Sequence, residues 1–208
     1  MRIILILLAI NIGTAINSQN FRKEVIKNAD LYNLFTAEDI KRLDEILFFF
    51  DNWVFSQSAS NNISLAYHTY LDKLGNIDTA TELIKNMHFS LITLDSLISL
   101  CENSGTFNKI WAYKYERVPG ISDTFYVGLA LNIDSPYGDY LKKISKENKI
   151  IKEYIESIKI NSTVTDEIIT NLPKIHEYFD FRDKRFRLFT AIHFITIVYK
   201  MKYVKTYI

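Results

Sequence analysis

Two histidine–aspartate pairs have a spacing that could support metal chemistry. His68 and Asp72 stand four positions apart, and so do His176 and Asp180. In a helix, residues four apart share one face, so each pair presents an imidazole and a carboxylate in the same direction. A metal ion needs a third and a fourth ligand, which the sequence does not indicate. We therefore predict no metal site and interpret both pairs as polar pairs on a solvated helix face.

Two carboxylate pairs, Glu45 with Asp51 and Asp134 with Asp139, have residue types suited to general acid–base catalysis. Any helical protein with 24 acidic residues contains such pairs, so they carry little information. The sequence contains no glycine-rich phosphate loop, no HExxH motif, no paired cysteines and no GxSxG nucleophile elbow. We predict no catalytic residue and no cofactor, and the sequence favours a protein that is not an enzyme.

Asp51 lies in the stretch LFFFDNWVF, residues 47–55, which contains five aromatic rings. Thr36 can cap a helix that begins at the next residue. Seven apolar side chains then repeat at helical spacing on one face, while Phe48 and Phe55 fall on the far side. An aromatic stripe at this spacing is typical of a helix buried on two sides. The alternative is a pocket between helices near Asp51, which a small-ligand carrier or an enzyme would use. The seven are Ile40, Leu43, Ile46, Leu47, Phe50, Trp53 and Val54.

The same spacing predicts further helices along the chain. Three of them run over about 62–74, 79–101 and 186–203. A fourth runs over 135–158 with a break near 145–148, and a short helix begins at 165 and bends at Pro173. Cys101 lies on an apolar seam and is predicted to be a core thiol. The last helix is apolar almost all round, but Arg187, His193 and Lys200 argue against a membrane span. We predict that it is the central helix of a bundle.

The segment 107–133 has the alternation of a β-strand instead of helical spacing. Aromatic residues alternate with Ala112, Lys114 and Glu116, and Pro119-Gly120 matches the centre of a type II turn. This pattern predicts a β-hairpin, and two short helices remain the alternative. The predicted fold is mainly α, an irregular helical bundle with one inserted β-hairpin, forming a single domain over residues 19–208.

Aromatic residues and an arginine concentrate between residues 111 and 140. Tyrosine, tryptophan and arginine are typical anchors of interfaces, and irregular segments on a rigid scaffold often carry binding residues. We predict a binding site there, with the alternatives that these rings cap the bundle as core side chains or line a ligand pocket. The candidate binding residues are Trp111, Tyr113, Tyr115, Arg117, Tyr126, Tyr137 and Tyr140.

The first 18 residues have the order of an export signal. Arg2 is followed by an apolar run, Ile3 to Ile10, and then by small and polar residues that allow cleavage after Ala15 or Ser18. The run is shorter than the about 20 apolar residues that span a bilayer, although an uncleaved anchor remains the alternative. We predict an exported protein with no membrane span in the mature chain, periplasmic if the source is a Gram-negative bacterium.

The charge balance bears on the class of partner. Without Arg2 the chain has 24 basic and 24 acidic residues, and a neutral exported protein is a poor nucleic-acid binder. Residues 24–102 hold 12 acids and 5 bases, whereas 103–208 hold 12 acids and 17 bases, which favours two halves that pack with complementary faces. The sequence therefore favours a non-enzymatic module that binds another protein or an envelope component. A protein that neutralises a periplasmic toxin is a specific version of this hypothesis.

Overall fold

The computed structural model describes residues 29–87, 89–117, 124–202 and 204–206. Within these ranges the chain is mainly helical, which confirms the predicted mainly α fold with an inserted hairpin. The helices are α1 (Ala29–Tyr32), α2 (Ala37–Gln57), α3 (Ile63–Gly75), α4 (Ala80–Asn86), α5 (Leu91–Asn103), α6 (Pro136–Ile144), α7 (Lys149–Asn161), α8 (Asp166–Lys174) and α9 (Lys184–Lys202). The strands are β1 (Trp111–Arg117), β2 (Thr124–Leu131) and β3 (Val204–Thr206), and 3-10 turns occupy Phe107–Lys109 and His176–Tyr178.

Helix α2 begins where the sequence predicts because Thr36 caps it. The Asp39 backbone N–H donates to Thr36 Oγ1 at 3.3 Å, and the Thr36 backbone N–H donates to Asp39 Oδ2 at 2.8 Å. This capping box satisfies two backbone donors that the helix start would otherwise leave without partners. The predicted apolar face is buried, with Trp53 partly so. On the far side Phe55 is partly buried against the core, but Phe48 is 41% exposed, so the expectation that α2 is covered there is wrong at Phe48.

Helix α9 lies at the centre of the bundle, as its apolar sequence predicts. Its side chains from 187 to 199 are buried, and it packs against α2, α4 and β2. The hydroxyls of Thr190 and Thr196 donate to backbone carbonyls four residues earlier, which satisfies them within the helix. His193 Nδ1 lies 3.1 Å from Tyr154 Oη. Burial lowers the pKa of His193 to about 3, so it is a neutral core histidine.

The strands form one antiparallel sheet in the order β1-β2-β3. The predicted hairpin is present, with Trp111 opposite Leu131, and the alternative of two short helices is wrong. The turn predicted at Pro119-Gly120 lies outside the described residues. The sequence does not predict β3, in which Thr206 pairs with Thr124 at the other edge of β2. A three-residue strand directly after a long helix is too short to produce a periodic signal of its own.

The single helix predicted over 79–101 is two helices, α4 and α5, so that prediction is wrong. Helix α4 ends at Asn86, and α5 begins after Ser90, whose Oγ accepts from the Thr93 backbone N–H at 3.4 Å. The apolar seam continues through both helices, which is why spacing alone suggests one. His88, which the sequence places inside this helix, lies outside the described residues.

Three further expectations about the helices are confirmed in the described part of the chain. Helix α6 ends at Ile144, and α7 begins after Asn148, whose Oδ1 accepts from the Ile151 backbone N–H at 3.1 Å. Cys101 is buried in the core, and burial raises the pKa of its thiol to about 12. Among the helices that the structure describes, none combines the length and the apolar character needed to cross a membrane.

Gly138 is required by a close backbone approach at the start of α6. A Cβ atom at this position would lie 1.8 Å from the Ile133 carbonyl oxygen, a distance that no side chain can tolerate. We expect Gly138→Ala to lower the free energy of unfolding by at least about 2 kcal/mol, measured by urea denaturation.

Gly75→Ala is the matched control, because a Cβ there meets its nearest atom at an ordinary 3.5 Å. We expect this variant to stay within about 1 kcal/mol of the wild type. Equal stability of the two variants would contradict the described packing of α6 on residue 133.

Candidate functional site

The fold brings together the two histidine–aspartate pairs that are distant in the sequence. His68 lies on α3, His176 opens the 3-10 turn after α8, and their Nδ1 atoms are 2.9 Å apart. The ring centroids are 5.2 Å apart, as expected when the two nitrogens face each other along the line between the rings. His176 Nε2 lies 4.0 Å from Asp72 Oδ1. Both histidines are partly buried, so the interpretation of solvated polar pairs is wrong for them.

The contact between His68 and His176, hereafter the histidine pair, is a hydrogen bond between imidazoles. One ring donates through Nδ1–H and the other accepts through an Nδ1 lone pair, so at least one ring must be neutral. Burial lowers the pKa of His68, and the nearby His176 lowers it further, while Asp180 and Glu177 act in the opposite direction. The pair is therefore most stable when it carries no charge or one charge.

An open groove of about 670 Å³ lies beside the histidine pair. One wall is the amino-terminal half of α3, and the other is the segment 177–182. Leu65 and Tyr178, on opposite walls, are 57% and 71% exposed. Large apolar side chains exposed on both sides of a groove are available for contact with another molecule. The groove is lined by Asn62, Ser64, Leu65, His68, Glu177, Tyr178, Phe179, Asp180 and Arg182.

The charges of the groove are largely compensated within its own wall. Arg182 Nε and Nη2 donate to the two carboxylate oxygens of Asp180 at 2.8 and 2.9 Å, and the Arg182 backbone N–H also donates to this carboxylate. These hydrogen bonds lower the pKa of Asp180. The groove surface therefore combines exposed apolar side chains with an ion pair whose charges neutralise each other. Such a surface suits binding more than acid–base chemistry.

Asp51 lies beneath this region in a buried network with Tyr67 and Arg187, hereafter the Asp51 network. Tyr67 Oη donates to Asp51 Oδ1 at 2.7 Å, and Arg187 Nε lies 3.5 Å from the same oxygen. All three side chains are almost fully buried. Burial raises the pKa of Asp51 to about 6, although the charge of Arg187 and the hydrogen bond from Tyr67 oppose the rise. The carboxylate is enclosed by its partners and does not face the groove.

Phe181 connects the Asp51 network to the groove wall. Its ring stacks on Tyr67 at 4.7 Å between centroids and meets His68 edge-on at 5.0 Å. Its backbone carbonyl accepts a hydrogen bond from Arg187 Nη1 at 3.0 Å. The residues on either side of Phe181, Asp180 and Arg182, line the groove. The buried network thus fixes the position of the wall that carries them.

Of the candidate binding residues whose side chains the structure describes, three are buried and one is partly buried. Trp111 is buried, and its Nε1–H donates to Thr196 Oγ1 at 2.8 Å. Tyr113 is partly buried, and its hydroxyl donates to Glu102 Oε1 at 2.5 Å. Tyr137 and Tyr140 are 1% exposed, with ring centroids 6.1 Å apart. A partner would have to enter the core to reach Trp111, Tyr137 or Tyr140. The remaining candidates, Tyr115, Arg117 and Tyr126, lie in the strands, but their side chains are outside what the structure describes.

Three of the four carboxylates considered for acid–base chemistry have other partners in the described structure. Glu45 accepts a hydrogen bond from Arg42 at 2.6 Å, whereas Asp51 belongs to the buried network. Asp139 accepts from Lys142 at 2.8 Å on the exposed face of α6. Over the residues that the structure describes, no three histidine, cysteine, aspartate or glutamate side chains converge closely enough to hold a metal ion.

Sequence reasoning missed the contacts that build the groove because they join distant parts of the chain. The histidine pair spans 108 positions, and Arg187 enters the sequence argument only as a charge in an apolar helix. The sequence held one hint of the contact between His68 and His176, since each histidine is followed four positions later by an aspartate. Nothing local indicated that they meet.

Comparisons with known proteins supply no relative from which a role could be transferred. No protein-family model, no curated protein and no solved structure matches the chain. A function must therefore be argued from the groove, the histidine pair and the Asp51 network.

Tyr67→Phe tests whether the Asp51 network contributes to stability. The substitution removes the hydroxyl that donates to Asp51 and leaves a buried carboxylate oxygen without that donor. We expect the free energy of unfolding to fall by about 2 kcal/mol in urea denaturation at neutral pH.

Tyr70→Phe is the matched control on the same helix. The Tyr70 hydroxyl is also buried, but it has no hydrogen-bond partner among the described residues. Removing it should change the free energy of unfolding by less than about 1 kcal/mol. If the two variants lose equal stability, the hydrogen bond to Asp51 makes no special contribution.

Proposed function

We propose that the protein is an exported, non-enzymatic binding module that holds a segment of another protein in the groove between α3 and residues 177–182. The observation that carries the proposal is the exposure of Leu65 and Tyr178 on the two walls of an open groove. Interfaces place apolar and aromatic side chains at the centre and polar groups around them. The groove has this composition.

The pairing of its polar side chains favours binding over catalysis. Asp180 is engaged by Arg182, His68 is engaged by His176, and Asp51 is enclosed in the core. A general base needs a free lone pair within reach of the substrate. The pKa values of Asp180 and His68 are both lowered, which makes each group a weaker base.

The open form of the groove favours a protein segment over a small molecule. Small-molecule sites enclose most of the ligand surface, whereas this groove is open to solvent along its length. An extended segment can place one apolar side chain between Leu65 and Tyr178 and direct its backbone groups toward Asn62 and Ser64. An envelope component of another chemical class is the competing occupant.

Leu65→Glu should remove binding, because it places a carboxylate in the apolar part of the groove, opposite the wall that carries Glu177. We expect a loss of affinity of at least about tenfold for the partner recovered with the wild-type protein from its native host. The partner is identified by native mass spectrometry, and its affinity is measured by calorimetry.

Ile160→Glu is the matched control, since Ile160 is 82% exposed on α7 and does not line the groove. This variant should bind as the wild type does. Equal losses in both variants, or none in either, would place the partner elsewhere on the surface. Recovery of a lipid or glycan in place of a protein would contradict the proposed class of partner.

Export is tested by the mass of the mature protein. Purified from its native host, the chain should lack residues 1–15 or 1–18, and it should be found outside the cytoplasm. Replacing Leu7 and Leu8 by arginine should stop processing, because the apolar run would be interrupted by charge. A wild-type chain that retains Met1 would contradict cleavage.

A further inference from the structure

The histidine pair is the polar contact that links the two walls of the groove at the 3-10 turn. His68 projects from α3, and His176 begins the turn that leads into the wall 177–182. We propose that this pair makes the groove pH-sensitive: it holds the turn against α3 near neutral pH and releases it when both rings are protonated. The consequence for partner binding rests on the proposed function, whereas the release itself does not.

The second protonation breaks the hydrogen bond of the histidine pair, whereas the first leaves it intact. In the neutral pair, one Nδ1–H donates to the other Nδ1, and each ring has a single proton. A first added proton goes to an Nε2 atom and leaves the Nδ1–H···Nδ1 bond intact, with one charge on the pair. A second proton occupies the accepting Nδ1, so the acceptor is lost and two cationic rings face each other with their centroids 5.2 Å apart.

The carboxylates around the histidine pair favour addition of the first proton. They do not remove the repulsion between the two cationic rings that the second proton creates. Glu177 and Asp180 act on His68 from the opposite wall, and Asp72 faces His176 Nε2 from α3. Three basic groups of these elements are engaged elsewhere: Arg182 with Asp180, Lys174 of α8 with Asp78, and Lys73 of α3 with the Gln57 carbonyl. Asp166 and Glu167 lie in the first turn of α8, at its far end from His176.

The direction in which pH changes the stability of the groove follows from His68, because the fold favours its neutral form. The pKa of His68 lies below its ordinary value of 6.5, chiefly because of burial. A group of this kind stabilises the folded state above its ordinary pKa, and this stabilisation is lost as the pH falls. Acid should therefore loosen the groove.

The release should be local, because the two ends of the wall are held by different interactions. The turn is closed by short-range bonds, such as Phe179 N–H to the His176 carbonyl at 3.1 Å. Its polar contacts with α3 are the histidine pair and the longer approach of His176 Nε2 to Asp72 at 4.0 Å. Phe181 is held separately by Tyr67 and Arg187 in the core. Opening of the pair thus frees residues 176–179 while Phe181 stays in place.

Hydrogen–deuterium exchange of the full chain, without any partner, tests this proposal. After correction for intrinsic exchange, protection of amides in residues 176–179 should fall at least about tenfold between about pH 7.5 and about pH 5. Peptides from the centre of α9 should keep their protection. Unchanged protection of the turn across this range would overturn the proposal.

His176→Gln and His68→Gln identify the origin of the change. Glutamine keeps a polar side chain but does not titrate, so each variant should show protection of the turn that no longer depends on pH. Two variants are used because either one alone could disturb the fold, which circular dichroism would reveal. A transition that persists in folded glutamine variants would overturn the assignment to the histidine pair.

Asp51→Asn is the necessary control, because the pKa of Asp51, about 6, falls in the same pH range. The transition should persist in this variant if the histidines cause it, and its loss there would assign it to the Asp51 network instead. Failure to find a groove partner would remove the proposed function without changing these exchange results. If a partner had equal affinity at both pH values, its binding would not depend on the opening of the histidine pair.

Discussion

The structure depends on the placement of one carboxylate, Asp51, inside an apolar core. A buried carboxylate is costly unless hydrogen bonds and an opposite charge compensate for lost hydration. Tyr67 and Arg187 offset part of that cost, and α2, α3 and α9 each present one polar side chain at the same point. Apolar packing alone would allow these helices to slide or rotate, whereas a shared polar contact specifies their register.

This constraint extends outward to the groove. Arg187 reaches both Asp51 and the carbonyl of Phe181, and Tyr67 presents its hydroxyl to Asp51 and its ring to Phe181. A surface loop would otherwise have few reasons to hold one shape. Here its centre is attached to the interior, and its beginning is attached to α3 through His176. The geometry of the solvent-exposed groove is thus determined by buried groups.

Local pattern was sufficient to predict most of the helices and the hairpin, but neither the break between α4 and α5 nor the site. Thr36 and Asn148 act through neighbours three residues away, and the alternation around Trp111 is visible in a short window. The meeting of His68 with His176 depends on how α3 and α8 pack, which no local period records. The composition of residues 111–140 suggests an interface, whereas the burial of Trp111, Tyr137 and Tyr140 depends on the whole fold.

The position of α9 has a consequence for the order of events as the chain is made. Helix α2 is complete by residue 57, but α9, against which it packs, begins only at Lys184. During synthesis from the amino terminus, most of the chain is therefore made before α9, the central helix of the core. Contacts across so long a separation also form slowly, because the intervening chain must lose entropy first. The core of this protein can therefore close around α9 only after nearly the whole chain has been made.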